Sequence, residues 1–429
     1  MPSRRFRAAS RRGAALCLLT ATLSACSIFD GLLEVTSVDQ VLASDLETPA
    51  NAALLVRSAI NDFDCAFSNY TLAGGLVADE VAWGDNNSFD YERRTFTALG
   101  GTYATAQCSS GAGGQIGVYA SLSTARFGNK RAHELLTGWS DAEVPQRAVL
   151  LAQTSAYEAY SILLLGEGMC SLAIDAGPEL SRAAAWAVAE ARFTAAIAEA
   201  TAANDPALAN FARLGRARTR LNLGRPNDAA ADAATIPAGF VRNARFAGVN
   251  WRSTNQLHQW IRIESRAAVD SFYWHLSTNG TPDPRVSLTY SGLTTLNGNQ
   301  LVYPNKYATP SSPMPIARWA EARLIVGEAR LAANDPIGAI AIIDELRGAA
   351  SLPAYSGSQS LEAVRSALLE ERRRELFLES HRLGDLIRLN LPFLPPAGTP
   401  FRQGGSYGTM TCFPLPDIER RNNPNLARG

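Results

Sequence analysis

Long alanine- and leucine-rich runs dominate this chain, and the tripeptide Asn-Asp-Pro interrupts them twice. Residues 204–206 and 334–336 each place an aspartate at a helix N-cap position and a proline at the first helical position. A link this short leaves two helices antiparallel, so the pattern predicts a mainly α fold of paired helices. The predicted helical runs cover residues 46–63, 118–166, 181–203, 207–223, 228–234, 316–333 and 337–346.

A short internal similarity supports repeated helical hairpins. Residues 214–218 (Leu-Gly-Arg-Ala-Arg) resemble residues 326–330 (Val-Gly-Glu-Ala-Arg), and both precede a proline turn and an alanine-rich helix. Small residues let paired helices approach closely, as in tetratricopeptide hairpins. Ordinary packing in an alanine-rich chain is the alternative. Residues 68–117 and 240–315 are rich in Gly, Ser, Thr, Asn and aromatics, which predicts loop-rich insertions.

Charge and composition narrow the functional classes. The 429 residues carry 40 Lys+Arg and 40 Asp+Glu, with a pI near 6.9, so the basic face of a nucleic-acid-binding protein is not expected. Hydrophobic residues make up 46% of the chain, which excludes wholesale disorder.

The first residues have the features of an export signal. Five arginines within residues 4–12 precede an apolar stretch that ends at Leu23, shorter than the about 20 residues that span a bilayer. Residues 23–26 (Leu-Ser-Ala-Cys) resemble the lipobox of bacterial lipoproteins, in which the cysteine becomes the lipidated first residue. We therefore predict a signal peptide over residues 1–25 and lipidation of Cys26. An ordinary secretory signal cut after Ala25 is the alternative.

Four further cysteines, Cys65, Cys108, Cys170 and Cys412, remain in the exported chain. Export favours disulfides, and four cysteines allow three pairings. The absence of a CxxC spacing argues against zinc. We prefer Cys65 with Cys108 and Cys170 with Cys412.

Residues 361–389 place charges on the apolar side of a predicted helix. At 100° per residue, one stripe combines six aliphatic residues with Arg372, Glu375, Glu379 and Arg382. Buried charges must pair, so we expect these four to pair with one another or with backbone groups. Their mixed signs favour a structural ion network over general acid–base catalysis.

The same segment resembles a known family. Residues 371–376 (Glu-Arg-Arg-Arg-Glu-Leu), followed by Glu379, Arg382 and residues 385–388, are similar to the C-terminal signature of the SusD/RagB family, lipoproteins of bacterial nutrient uptake. Residues 318–347 resemble the last tetratricopeptide-like hairpin of that family. Residues 413–419 and 423–426 resemble the C-terminal tail of that family, and residues 33–35 resemble its beginning. Two departures are Leu383-Gly384, where the family usually has an aromatic residue, and a chain that is short for the family.

The resemblance implies a single SusD-like domain over residues 26–429, an α-α superhelix. Its tetratricopeptide-like scaffold would occupy residues 118–237 and 316–390, with ligand-facing insertions at residues 68–117 and 240–315. It also implies a surface-exposed outer-membrane lipoprotein, anchored through its lipid. Such a protein covers a SusC-like TonB-dependent transporter and passes captured oligosaccharides or other oligomers inward. Neither catalysis nor a cofactor is expected in that picture.

Enzyme and metal motifs are weak. Residues 404–408 match GxSxG, but no histidine follows His381, so a catalytic triad is not expected. The four histidines are scattered without an HExxH motif, and no metal site is predicted. Asp79, Glu80 and Asp85 form an acidic cluster without EF-hand spacing; a solvated loop is preferred over a calcium site.

Exposed aromatics beside polar side chains are expected wherever a sugar ring stacks. In the family, the loop after the first long helix carries binding residues, and residues 79–91 occupy that place here. A second segment, residues 251–274, is rich in aromatics, although aromatics are commoner in cores. The candidate ligand-binding residues are Trp83, Asp85, Asn86, Tyr91, Trp251 and Trp260. Trp83 and Asn86 are preferred because surrounding Gly and Asn disfavour burial.

Two other functions stay open at this point. One is a tetratricopeptide-like lipoprotein scaffold for protein–protein interaction in the cell envelope. The other is an exported hydrolase, for which the sequence offers no convincing site.

Overall fold

The computed structural model describes residues 43–85, 90–108 and 115–426. The chain divides into two compact units, Met1–Thr48 and Pro49–Gly429. The first is described only from residue 43 and contains a short helix, Ala43–Leu46. The predicted signal peptide and Cys26 lie outside the described residues.

The second unit is mainly helical, as the sequence predicts. Its longer helices are α1 Ala52–Val77, α2 Tyr119–Gly138, α3 Arg147–Gly168, α4 Arg182–Ala202, α5 Pro206–Asn222, α6 Pro226–Ala233, α7 Trp319–Ala332, α8 Pro336–Ala349, α9 Leu361–Glu375 and α10 Arg382–Arg388. Each helix from α1 to α8 packs against the next one, and α9 packs against both α7 and α8. Short helices lie at Asp90–Arg93, Thr102–Thr105, Gln256–His258 and Asp417–Asn422.

The described strands form small antiparallel pairs outside the helical scaffold. In chain order they are β1 Val81–Trp83, β2 Ser171–Leu172, β3 Leu180–Ser181, β4 Val241–Ala244, β5 Ala267–Val269, β6 Ser277–Thr278, β7 Thr281–Pro282, β8 Leu288–Thr294, β9 Gln300–Pro304 and β10 Met314–Arg318. The pairs are β1–β5, β2–β3, β4–β10, β6–β7 and β8–β9. Because α6 packs directly on α7, the chain between them leaves the scaffold and returns through the β4–β10 pair.

The predicted hairpin turns form as expected. Asp205 and Asp335 accept hydrogen bonds from the backbone N–H groups of Leu208 (2.9 Å) and Gly338 (2.8 Å), and a proline follows each aspartate. A Cβ on Gly215 would lie 2.3 Å from the Phe193 ring. The glycine therefore allows α5 to approach α4 closely, as the internal similarity suggested.

The prediction that residues 68–77 form loops is wrong, because α1 continues to Val77. The polar side chains that resembled a loop instead bond to backbone groups. Asn69 Nδ2 donates to the Cys65 carbonyl (3.3 Å) and Thr71 Oγ1 to the Phe67 carbonyl (2.8 Å). Ser68 Oγ accepts a hydrogen bond from Gln256 N (2.7 Å). Such side-chain bonds let polar residues lie buried within a helix.

The prediction of one helix over residues 361–389 is also wrong. Residues 376–381 form a buried turn between α9 and α10, with Leu378 (φ 55°) and Ser380 (φ 68°) in the left-handed region. The turn is held from outside, since Leu378 N donates to Glu80 Oε1 at 2.7 Å. Because of this turn, the four charged side chains do not lie on one stripe, as they would in a continuous helix.

The four charged residues of that stripe are paired, but not with one another. Arg372 Nε lies 2.7 Å from Asp385, and Arg382 Nε lies 2.7 Å from Asp79. Arg318 joins the other two, because Nη1 bonds to Glu375 and Nε to Glu379, both at 2.7 Å. Lys306 also pairs with Glu379. The expectation of pairing among the four is therefore wrong, since their partners come from distant segments.

The structure contains both preferred disulfides, Cys65–Cys108 and Cys170–Cys412. The second joins the residue before β2 to the C-terminal tail across 242 residues. Among the described residues, α3 is long and apolar enough to cross a membrane, but 72% of its apolar window is buried inside the fold. This burial is typical of a core helix.

Burial of carboxyl groups makes stability pH-dependent. Burial raises the pKa of Glu80 to about 8, and those of Asp64 and Glu321 to about 7. The fold then holds protons that the unfolded chain has already lost, so these groups stabilise most at low pH and stability falls as pH rises through 7 to 8. We expect a lower melting temperature at pH 8.5 than at pH 6.5. Replacing Glu80 with glutamine should flatten this dependence; a melting temperature that rises with pH in both proteins would contradict it.

Candidate functional site

The site begins where β1 and β5 pair, with Val81 opposite Val269 and Trp83 opposite Ala267. Directly after β5, the carboxylate of Asp270 accepts a hydrogen bond from Phe272 N (3.0 Å) and turns the chain away from the strand pair. Phe272 is exposed as a result, at 39%. Trp274 is half-buried and fixed by a bond from Nε1 to the Val269 carbonyl (2.9 Å).

A cleft of about 280 Å³ lies beside this turn. We call it the aromatic cleft, because three aromatic rings and six polar side chains line it together with small apolar residues. The rings are those of Phe272, Trp274 and Tyr407, and the polar side chains are Glu92, Asp270, Ser271, Asn299, Gln300 and Arg402. Flat apolar faces next to acceptors and donors can hold a ligand with apolar faces and a polar edge.

Glu92 and Arg402 form an ion pair in the wall of the aromatic cleft. Arg402 bonds to both carboxylate oxygens of Glu92 (2.5 Å each), and Trp83 N donates to Glu92 Oε2 (2.7 Å). Burial raises the pKa of Glu92, and the hydrogen bonds and charge of Arg402 oppose that rise. These bonds engage both oxygens of the Glu92 carboxylate. The group therefore stabilises the wall of the aromatic cleft rather than transferring protons.

Asp270 is the polar group best placed to accept hydrogen bonds from a ligand. Burial raises its pKa to about 6, partly opposed by the bond from Phe272 N. The group is therefore mainly ionised at neutral pH. The amide of Gln300 is exposed and makes no side-chain hydrogen bond within the described part of the chain.

Aromatic surface continues beyond the cleft. The exposed ring of Tyr290 on β8 stacks on His275, with centroids 4.6 Å apart, and meets Trp274 edge-on at 6.0 Å. Tyr290 Oη also accepts a hydrogen bond from His275 N (3.0 Å). Trp274, His275 and Tyr290 thus form an aromatic ridge that continues from the cleft, which Trp274 also lines.

The predicted tryptophans are not among the residues that line the cleft. Trp83 and Trp260 are 3% and 7% exposed, and their rings lie 5.4 Å apart. Trp251, half-buried, meets Trp260 edge-on at 5.7 Å. The expected exposure of Trp83 is wrong, because the strand pairing turns its ring inward. Its backbone carbonyl still supports the site, accepting bonds from Asn299 (3.3 Å) and Arg402 (2.5 Å).

The other three candidate ligand-binding residues are Tyr91, Asp85 and Asn86. Tyr91 is buried, and its hydroxyl bonds to Thr102 (2.6 Å) and to the Ile116 carbonyl (2.9 Å). Asp85 is buried beside Arg266, with 3.4 Å between the charged groups. Asn86 lies outside the described residues. Ligand contact by these residues stays a prediction, and burial disfavours it for Tyr91 and Asp85.

The acidic cluster is not the solvated loop that the sequence suggested. Asp79 and Glu80 are 4% and 2% exposed. Asp79 pairs with Arg382, and Glu80 binds the turn before α10. Within the described residues, no group of three or more acidic, histidine or cysteine side chains is placed to hold a metal ion. The cluster instead connects the C-terminal helices to β1, and so to the aromatic cleft.

The comparisons with known proteins agree with this architecture. Residues 243–394 match the SusD family model. Over this segment the chain is similar to the SusD family. The match covers the turn after β5 that lines the aromatic cleft and the helices α7 to α10, which confirms the resemblance drawn from the C-terminal signature.

Solved structures share the SusD-like fold over nearly the whole chain. A SusD superfamily protein from Bacteroides vulgatus is 14% identical, with a TM-score of 0.65 over 88% of this chain and 98% of that one. A SusD-like carbohydrate-binding protein from the same species is also 14% identical, with a TM-score of 0.62 over 89% and 98%. A SusD superfamily protein from Parabacteroides distasonis is 13% identical, with a TM-score of 0.64 over 90% and 99%. No curated protein matches in sequence.

Sequence reasoning missed Phe272, Trp274, Tyr290 and Tyr407 as site residues. The aromatic composition of residues 251–274 predicts a site there, but the residues predicted within this run are its first two tryptophans, Trp251 and Trp260. A signal was available: Phe272 follows Asp270 at the spacing of a capped turn, which exposes the residue after the cap. Tyr407 carried no such signal, because its glycine-rich loop reaches the cleft only through the tertiary fold.

Proposed function

We propose that this protein captures an oligomeric nutrient, most simply a glycan, at the aromatic cleft and delivers it to a SusC-like TonB-dependent transporter. The observation that carries the proposal is the combination of exposed rings and polar acceptors beside β5. A sugar presents C–H faces to a ring and hydroxyls to groups such as Asp270 and Gln300. The SusD-like carbohydrate-binding relative supports this choice of ligand class.

The role is binding rather than turnover. Glu92 is held by Arg402 and Trp83, and Asp270 caps the turn that carries Phe272. Glycoside hydrolysis requires two available carboxyl groups, and the carboxylate of Glu92 is fully engaged by Arg402 and Trp83. Turnover of a glycan panel by the purified protein would contradict this part of the proposal.

Replacing Phe272 with alanine is expected to weaken glycan binding by about tenfold or more, because covering an aromatic face is worth about 1.5–3 kcal/mol. Tyr290→Ala should weaken the binding of longer glycans, which reach along the ridge, more than the binding of short ones. Phe127→Ala on α2 is the matched control, since Phe127 is also an exposed ring, at 55%. Calorimetry against a polysaccharide panel measures the effect. Equal losses in all three variants would contradict the site.

The lipid anchor at Cys26, the outer-membrane location and the transporter partner are parts of the same proposal. They rest on the lipobox-like residues 23–26 and on the match of residues 243–394 to the SusD family model. Purifying the full chain from outer membranes should recover a barrel transporter. Recovery of other envelope proteins without a transporter would favour the alternative of a tetratricopeptide-like interaction scaffold.

A further inference from the structure

A polar groove lies between the N-terminal half of α1 and β4, and it shares no lining residue with the aromatic cleft. It consists of two clefts of about 300 and 430 Å³, and Asn61, Asp64 and Arg245 line both of them. We call it the α1–β4 groove.

Three arginines of this groove form no salt bridge within the described chain, although the charges of Asp64 and Asp205 act on Arg242 at longer range. Arg57 and Arg245 are exposed, and Arg242 bonds through Nε to the hydroxyl of Tyr157 (3.1 Å). The guanidinium of Arg242 also lies over the rings of Tyr157 and Phe211. Stacking fixes the plane of this group, which leaves its other donors available to a ligand.

Asp64 provides an independent observation. The residue is 5% exposed, and its Oδ2 accepts a hydrogen bond from Arg245 N (3.1 Å). Its Oδ1 is buried without a hydrogen-bond partner in the described structure, although the residue lines both clefts. Buried polar atoms are rarely left unpaired, so this atom indicates a missing ligand or water.

We propose that the α1–β4 groove binds an oxyanion (a sulfate, phosphate or carboxylate group) through the guanidinium groups of Arg242 and Arg245, with the carboxyl of Asp64 as a third contact. Guanidinium forks match the geometry of such oxygens and form charge-assisted hydrogen bonds with them. The proposal does not rest on glycan capture at the aromatic cleft.

Asp64 contributes as a hydrogen-bond donor in its neutral form. Burial raises its pKa to about 7, opposed by the bond from Arg245 N and by the charges of Arg242 and Arg245. Burial also raises the pKa of Tyr157 to about 12, far above the neutral range. The other charged groups around Asp64 are those of Arg57, Asp62, Arg242, Arg245 and Arg252. The lining includes no histidine, so Asp64 dominates titration near neutral pH.

Calorimetry of the full mature chain with sodium sulfate, against chloride at matched ionic strength, tests the site. Saturable sulfate binding is expected, and Arg245→Ala should weaken it by about tenfold or more, as expected for a lost charge-assisted contact. Arg242→Lys keeps the charge but removes the fork, and should also weaken binding. Arg365→Ala, an exposed arginine on α9, is the control. No saturable sulfate binding, or equal weakening in the control, would overturn the proposal.

Two further measurements test the carboxyl contact and the source of the oxyanion. Sulfate keeps its charge between pH 6 and pH 8, so weaker binding at pH 8 in the natural protein but not in Asp64→Asn identifies the carboxyl contact. A dependence that persists in Asp64→Asn would overturn that contact. Glucose 6-sulfate, with glucose as its control, distinguishes a substituent on a sugar from a free anion. Tighter binding than inorganic sulfate indicates the former, and weaker binding the latter.

Discussion

Replacing Arg382 with leucine is expected to lower the free energy of unfolding by about 3–5 kcal/mol, because it leaves a carboxylate buried without its partner. Arg382 bonds through Nε to Asp79 at 2.7 Å and through Nη2 to the other carboxylate oxygen. The Asp79 side chain is only 3% exposed, so water cannot replace the lost charge. Urea denaturation followed by circular dichroism measures the change.

The double variant Asp79→Leu/Arg382→Leu distinguishes the attraction within the ion pair from the cost of burying its two charges. Replacing both partners with apolar residues should recover most of the lost stability, because desolvation of two charges offsets much of their attraction. Arg421→Leu is the surface control, since Arg421 pairs with Asp417 but is 72% exposed, and a loss of at most about 1 kcal/mol is expected. A double variant no more stable than the single one would show that this pair positions the fold beyond its charges.

Removing the Cys170–Cys412 disulfide with serine at both positions is expected to cost about 2–5 kcal/mol of stability. This disulfide closes a loop of 242 residues, and Phe413 beside it is fully buried against Tyr103 and Phe96. Without the bond, the unfolded chain gains the freedom of that loop. Thermal melts of the variant and of the natural protein, with and without reductant, measure the loss.

The Cys65–Cys108 disulfide is the matched comparison, because it closes only 43 residues. Loop entropy predicts that its removal costs about 1–2 kcal/mol less than removal of Cys170–Cys412. An equal or larger cost for the shorter loop would show that local packing, rather than chain closure, sets the contribution of these bonds.

Local chemistry explains which parts of the fold could be predicted. The caps Asp205 and Asp335 act on backbone groups three residues away, so the turns were visible in the sequence. The break before α10 was not, because Glu80, nearly 300 residues earlier in the chain, holds the turn. The buried charges of α9 and α10 were recognised, but their partners, such as Asp79 and Arg318, follow from no local pattern.

The site could be predicted only in outline. Its walls come from β1, the helix Asp90–Arg93, the turn after β5, the start of β9 and the loop around Tyr407. The aromatic content of the sequence indicates two of these segments. It does not indicate which of their rings are exposed. That choice depends on strand pairing, which turned Trp83 inward and left Phe272 exposed.

The direct packing of α6 on α7 has an evolutionary consequence. The helical stack is continuous without the chain that leaves and returns at the β4–β10 pair, so the two ends of that excursion are neighbours in space. Lengthening such an excursion costs little, because closure entropy grows only logarithmically with length. The surface formed by this excursion can therefore diversify by insertion, deletion or exchange between relatives while the helical stack that carries it stays unchanged.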